Sequence, residues 1–172
     1  NSGKAWKGKL RLSAKSSNGK QLSEVVRDYS IRNQHDSTTL SYEIGNAMEL
    51  WSEFNPVTYS LTAQLETNRQ SVMDTYTDVF GMREFKVEDK QIHVNGNPAF
   101  LRGTLECAIF PLTGYPAMEK SYWEKIFQTS RKHGLNHIRF HSWCPPEIAF
   151  TVADVMGFYL QVECGSWTNQ ST

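Results

Sequence analysis

Apolar and polar residues alternate in the first half of the chain and recur at helical spacing in the second. The clearest alternation is "YSLTAQLE", with Tyr59, Leu61, Ala63 and Leu65 on one face and Ser60, Thr62, Gln64 and Glu66 on the other. A period of two predicts a strand with one packed and one wet face. "KGKLRLSAKS" alternates too, Leu10 and Leu12 pointing together, and Asn18-Gly19 after it signals a turn. "QLSEVVRDYSIRN" and "TTLSYEIG" are rich in β-branched and aromatic residues. No helical period occurs in this half. Short strands separated by turns predict an immunoglobulin-like β-sandwich over residues 1–94.

The pattern changes at "QIHVNGNPAF", where Asn95-Gly96 between two apolar strands is a strong hairpin signal. "AFLRGTLEC" reads as a strand. "MEKSYWEKIFQTSRKHGL" then places Trp123, Ile126, Phe127 and Ser130 on one helical face, with Gly134-Leu135 as a left-handed stop. "NHIRFH" is the next strand. "PPEIAFTVADVMG" is the next helix, with Ile148, Val152, Val155 and Met156 on one face, a proline in its first turn and Gly157 at its end. "FYLQVE" closes the series. The order β-α-β-α-β predicts parallel strands with right-handed crossovers. Such a sheet gathers binding groups at the carboxyl ends of its strands. Those ends carry Glu106 with Cys107, His141 through Cys144, and Glu163 with Cys164.

Composition narrows the partners. The 172 residues carry 18 basic and 18 acidic side chains, so charge predicts neither nucleic acid nor an anionic membrane as a partner. No run of about 18 apolar residues exists, which excludes a membrane-spanning helix. Three cysteines without CxxC spacing make no disulfide framework. Cys107, Cys144, Cys164 and His141 form a Cys3His set in type, yet each comes from a different loop. Three buried thiols are the simpler expectation, with no metal and no cofactor. The opening "NSGKAWKGKL" is already strand-like, which predicts an internal or processed start.

The ordered motifs "LWSEFNPVTYSLTAQL", "FGMREF", "VNGNPAFLRGTLE", "GLNHIRFHSW" and "GFYLQVE" resemble glycoside hydrolase family 2, which includes β-galactosidases, β-glucuronidases and β-mannosidases. The resemblance implies that residues 1–94 are the immunoglobulin-like domain. It implies that residues 95–172 are the first three strands and two helices of a (β/α)8 catalytic barrel. A full barrel takes roughly 250 residues. Retaining glycosidases use two carboxylates about 5 Å apart, and in this family they are glutamates after the fourth and seventh strands, the first in an Asn-Glu pair. No Asn-Glu pair occurs in this sequence. The resemblance thus predicts a fragment of a retaining exo-glycosidase that is inactive alone, its catalytic glutamates lying outside these residues.

For the rim, the resemblance implies that Arg139 orients the nucleophile carboxylate; the alternative is a structural ion pair. His141 is implied as a partner of a sugar hydroxyl, although the family order Ser-His-Tyr-Pro is replaced by His-Ser-Trp-Cys, which equally suits a supporting histidine. Trp143 offers a ring for sugar stacking or for loop packing. Glu163 matches the family's third-strand glutamate, and Glu106 stands where many galactosidases have a basic residue. That replacement, "LECA", argues against assuming galactose. Glu106 and Glu163 are expected to accept hydroxyl hydrogen bonds. Trp51 and Trp6 are read as sandwich core or inter-domain packing, and Arg83 with Glu84 as structural ties. Two other readings remain: a carbohydrate-binding or interaction module using the sandwich, and a compact α/β protein that completes its sheet as a homo-oligomer through exposed strand edges.

Overall fold

The computed structural model describes residues 6–31, 37–67 and 71–165. The chain divides into two compact units, Asn1–Glu49 with Val57–Met82, and Leu50–Pro56 with Arg83–Thr172. It is mostly sheet, with two α-helices and no closed barrel among the described residues.

The first unit is a four-stranded antiparallel sheet. Its strands are β1 (Trp6–Ser16), β2 (Val25–Ile31), β3 (Thr58–Thr67) and β4 (Val72–Gly81), in the order β2-β1-β3-β4. The expected turn follows β1, with Gly19 at φ 93°, a conformation that glycine adopts without strain. The only helical element described in this unit is a 3-10 turn, Gly45–Ala47. Ala14, Leu22, Val57 and Tyr59 form the core, and the Tyr59 ring stacks on Phe80 at 5.7 Å. The Tyr59 hydroxyl accepts from the Glu49 N–H at 2.6 Å. One expectation fails on β3. Leu61, Ala63 and Leu65 are only half-buried, whereas Glu66, assigned to the wet face, is buried. Glu66 stays charged because Arg11 Nε on β1 donates to it at 2.7 Å. That bond holds its carboxyl below the usual carboxylate range, against the opposing effect of desolvation. The side chain of Trp6 lies outside the described residues.

The second unit begins with a strap, residues 50–56. Trp51 is buried, and its indole N–H donates to the Asp154 carbonyl at 2.6 Å. Arg83 stands over the indole at 4.8 Å, and Tyr159 meets it edge-on at 5.7 Å. Residues 83–98 form a meander of β5 (Phe85–Glu88), β6 (Gln91–Val94) and β7 (Asn97–Pro98). The hairpin at Asn95-Gly96 is present, both residues at positive φ as a type I′ turn requires. A second such turn at Asp89-Lys90 carries no glycine to announce it. This meander belongs to the second unit, so the compact division falls after Met82 and not after residue 94.

Next come β8 (Gly103–Glu106), α1 (Lys120–Lys132), β9 (His137–Phe140), α2 (Glu147–Met156) and β10 (Tyr159–Val162). The strands are parallel in the order β8-β9-β10, as the β-α-β-α-β pattern predicts. Helix α1 buries Trp123, Phe127 and Ser130, with Ile126 partly buried. Its end is a Schellman motif: Leu135 N–H donates to the Ser130 carbonyl and Gly134 N–H to the Arg131 carbonyl, Gly134 having φ 76°. Helix α2 meets expectation except at one position. Val152 is fully buried and Ile148 and Met156 pack against the same core, whereas Val155 is 44% exposed. Ala149 and Ala153 widen the buried stripe, because alanine packs where backbones come close. Gly157 ends α2 at φ 67°, and a Cβ there would lie 2.8 Å from the Glu53 carbonyl of the strap.

Candidate functional site

The parallel register sets the site. Glu106, Phe140 and Val162 are level at the strand ends, so the residues beyond them share one rim. Side chains alternate across β9: Ile138 and Phe140 are buried in the helix-facing core, which leaves His137 and Arg139 to the opposite face. Leu105 and Gln161 flank Arg139 in the same row.

Of the five residues singled out in the sequence, Arg139 and Glu163 meet through their side chains, while His141 and Trp143 meet the backbone carbonyl of Glu106. Arg139 Nε donates to Glu163 Oε1, and the Ser142 N–H donates to Glu163 Oε2 at 3.1 Å. The bond from Arg139 holds the Glu163 carboxyl below its ordinary range, with further help from the Ser142 N–H and nearby His141, while desolvation opposes it. Half-buried His141 donates its backbone N–H to the Glu106 carbonyl at 2.8 Å. Trp143 donates its indole N–H to the same carbonyl at 3.4 Å. Its ring stands edge-on to Phe140 at 5.3 Å and to Phe110 at 5.7 Å. The Glu106 carboxylate accepts from the backbone N–H groups of Ala108 and Ile109, at 3.0 and 3.3 Å, and so organises its own loop. Ala108 and Ser142 are both at positive φ, at 56° and 61°.

Three features escaped the sequence reading. Ser142 was seen only as a displaced letter of a motif, and Phe110 not at all. Asn136, at the other end of the sheet, is buried and ties three segments: Oδ1 accepts from Arg102 N–H at 2.8 Å, and Nδ2 donates to Phe100 carbonyl at 3.0 Å and Glu53 Oε2 at 2.5 Å. Its available signal was a polar residue directly before a buried strand. The thiols correct another expectation, since Cys107, Cys144 and Cys164 are all exposed. Loops beyond strand ends face solvent, whereas the helix-packed core lies behind them. No group of three or more His, Cys, Asp or Glu that could hold a metal occurs among the described residues.

A cavity of about 450 Å³ lies in the second unit beside β10, lined by Ile92, Val94, Leu101, His137, Phe158 and Tyr159 among others. His137 is buried over Gly103, where a Cβ would meet its Nδ1 at 2.4 Å, and its Nε2 has no hydrogen-bond partner.

Comparison with known proteins places this geometry. The family model described as glycosyl hydrolases family 2 matches residues 1–83. Over these residues the chain is similar to glycosyl hydrolases family 2. A β-galactosidase of Staphylococcus xylosus is 29% identical over 140 residues, covering 81% of this chain and 13% of that protein. One of Lactococcus lactis subsp. lactis (strain IL1403) is 25% identical over 124 residues, covering 72% and 12%. The chain thus spans about an eighth of the length of these two relatives. Two solved structures share the fold at 18% identity and TM-score 0.77. A family 2 member from Bacteroides cellulosilyticus is matched over 97% of this chain and 22% of its own. A β-glucuronidase from Bacteroides uniformis is matched over 99% and 21%.

Proposed function

We propose that this chain forms part of a retaining family 2 exo-glycosidase that hydrolyses a terminal β-linked sugar. The first unit supplies strands of the immunoglobulin-like sandwich, and β8 to β10 with both helices open the catalytic (β/α)8 barrel. The observation that carries this reading is the rim at the carboxyl ends of three parallel strands, where Arg139 meets Glu163 and where His141 and Trp143 meet the Glu106 carbonyl. A buried-core sheet with its charged and aromatic groups gathered at the carboxyl ends suits a barrel active site. The cavity beside β10 supports it as well, since a further β/α unit seated there would fill that space and reach His137.

In this mechanism the rim residues bind and orient. Arg139 holds an anionic carboxylate in place through its guanidinium, His141 and the two glutamates meet hydroxyl groups, and Trp143 offers an apolar face to the ring. The acid/base and the nucleophile are glutamates supplied by polypeptide outside these residues, so the chain alone does not turn over substrate. No cofactor enters. The test is hydrolysis of a panel of nitrophenyl β-galactoside, β-glucuronide and β-mannoside by the chain and by the longer protein containing it. Turnover by the longer protein alone is expected; turnover by this chain, or by neither, overturns the reading.

A further inference from the structure

We infer that Glu163 is a positioning residue, whose carboxylate fixes the edge that Arg139 presents and holds Ser142 in the left-handed conformation that seats Trp143. The glycosidase reading enters only in what the rim would bind. The clamp itself rests on the geometry of β9, β10 and the loop after β9.

The two oxygens of Glu163 are divided between two tasks. Oε1 accepts from Arg139 Nε, and Oε2 accepts from the Ser142 N–H at 3.1 Å. A guanidinium is a rigid planar fork, so engaging Nε determines where Nη1 and Nη2 point. Neither Nη has an acceptor among the described residues, and the Arg139 side chain is 47% exposed. The Nη edge is therefore the part offered to an anionic or hydroxyl-bearing ligand, and Glu163 decides its direction.

The second task is backbone geometry. Ser142 has φ 61°, a region that an L-residue other than Asn, Asp or His seldom adopts. A charged acceptor on its N–H offsets that strain. The next residue is Trp143, whose ring meets Phe140 and Phe110 edge-on and whose indole N–H reaches the Glu106 carbonyl. Relaxing Ser142 to negative φ would redirect the chain and withdraw the indole from all three contacts. Glu163, just beyond the last strand, thus sets an indole whose N–H reaches the end of β8. Each carboxylate oxygen keeps a further lone pair for a sugar hydroxyl, so the clamp acts alongside any direct contact with sugar.

The test uses the 172-residue chain labelled with nitrogen-15, following the Arg139 Nε–H, the Ser142 amide and the Trp143 indole N–H. In Glu163→Gln the neutral carbonyl still accepts from Ser142, so the Ser142 and Trp143 signals stay while Arg139 Nε–H exchanges about tenfold faster. In Glu163→Ala all three signals move. In the Glu163→Ala/Ser142→Gly double variant, glycine takes φ 61° freely, so the Trp143 indole returns to its original position and Arg139 does not. Unmoved Ser142 and Trp143 signals in Glu163→Ala, or no recovery in the double variant, overturn the clamp. Should Glu163→Ala not fold, unchanged Arg139 exchange in Glu163→Gln overturns it instead. Absence of hydrolysis by the longer protein refutes the proposed function and leaves these resonance results standing.

Discussion

The four-stranded sheet of the first unit and the β/α layer of the second are held together by different kinds of contact. In the first unit the core is small, one large ring on another, and a charged pair closes the sheet surface where Glu66 meets Arg11. In the second unit a chain of rings, Trp123, Phe127, Phe140 and Phe158, is packed behind the parallel strands, with Phe127 and Phe158 stacked at 4.8 Å. Similarity to the family model is confined to residues 1–83, whereas the Arg139–Glu163 pair lies in the second unit.

The largest expected effect sharpens that contrast. Phe127→Ala removes a fully buried ring and should destabilise the second unit by about 3–5 kcal/mol. Urea unfolding should then show two separated transitions, the first unit's unmoved; a common shift would break the comparison. Asn136→Ala should follow at about 2–3 kcal/mol in the same unit, because it leaves the Arg102 N–H and the Phe100 carbonyl without their partner. Loss of protection at the Arg102 amide in hydrogen exchange would check the cause. In the first unit, Tyr59→Phe keeps the stacked ring and deletes only the hydroxyl that accepts from Glu49, costing about 1 kcal/mol in urea unfolding.

The smallest effect is a slope with pH. Burial pushes the His137 imidazole below its ordinary value. The unfolded chain then takes up a proton at the ordinary histidine value of about 6.5 while the folded chain does not. Stability of the second unit should fall as pH drops below that value and level off once the folded imidazole is protonated. His137→Gln should flatten this dependence, and the first unit should not share it.

Much of this was readable in advance, for physical reasons. Period-two alternation located β1 and β3, and Asn95-Gly96 fixed a turn, because only a few residues tolerate paired positive φ. The helix ends at Gly134 and Gly157 were equally plain. The Asp89-Lys90 turn was not, since Asp89 tolerates a left-handed backbone but a lysine seldom follows it there. On α2 the buried Ala149 and Ala153 were missed because alanine is weak evidence for burial, and Glu66 was misplaced because a partner on another strand leaves no local trace. On the rim, chain order gave the strand ends but not the pairing of Arg139 with Glu163, which only the structure shows. It could not give the division of labour between the two carboxylate oxygens, which depends on the φ of Ser142.

The strap has a practical consequence for dissecting the molecule. The polypeptide leaves the first unit after Glu49, lends Trp51 to the second, returns at Val57 and departs again after Met82. Neither unit can therefore be excised by a single cut. An expression product beginning at Arg83 would lack the indole, leaving the Asp154 carbonyl and the Tyr159 ring exposed, and one ending at Met82 would carry a stranded tryptophan. Splitting the gene between the two units trades one boundary for two broken surfaces.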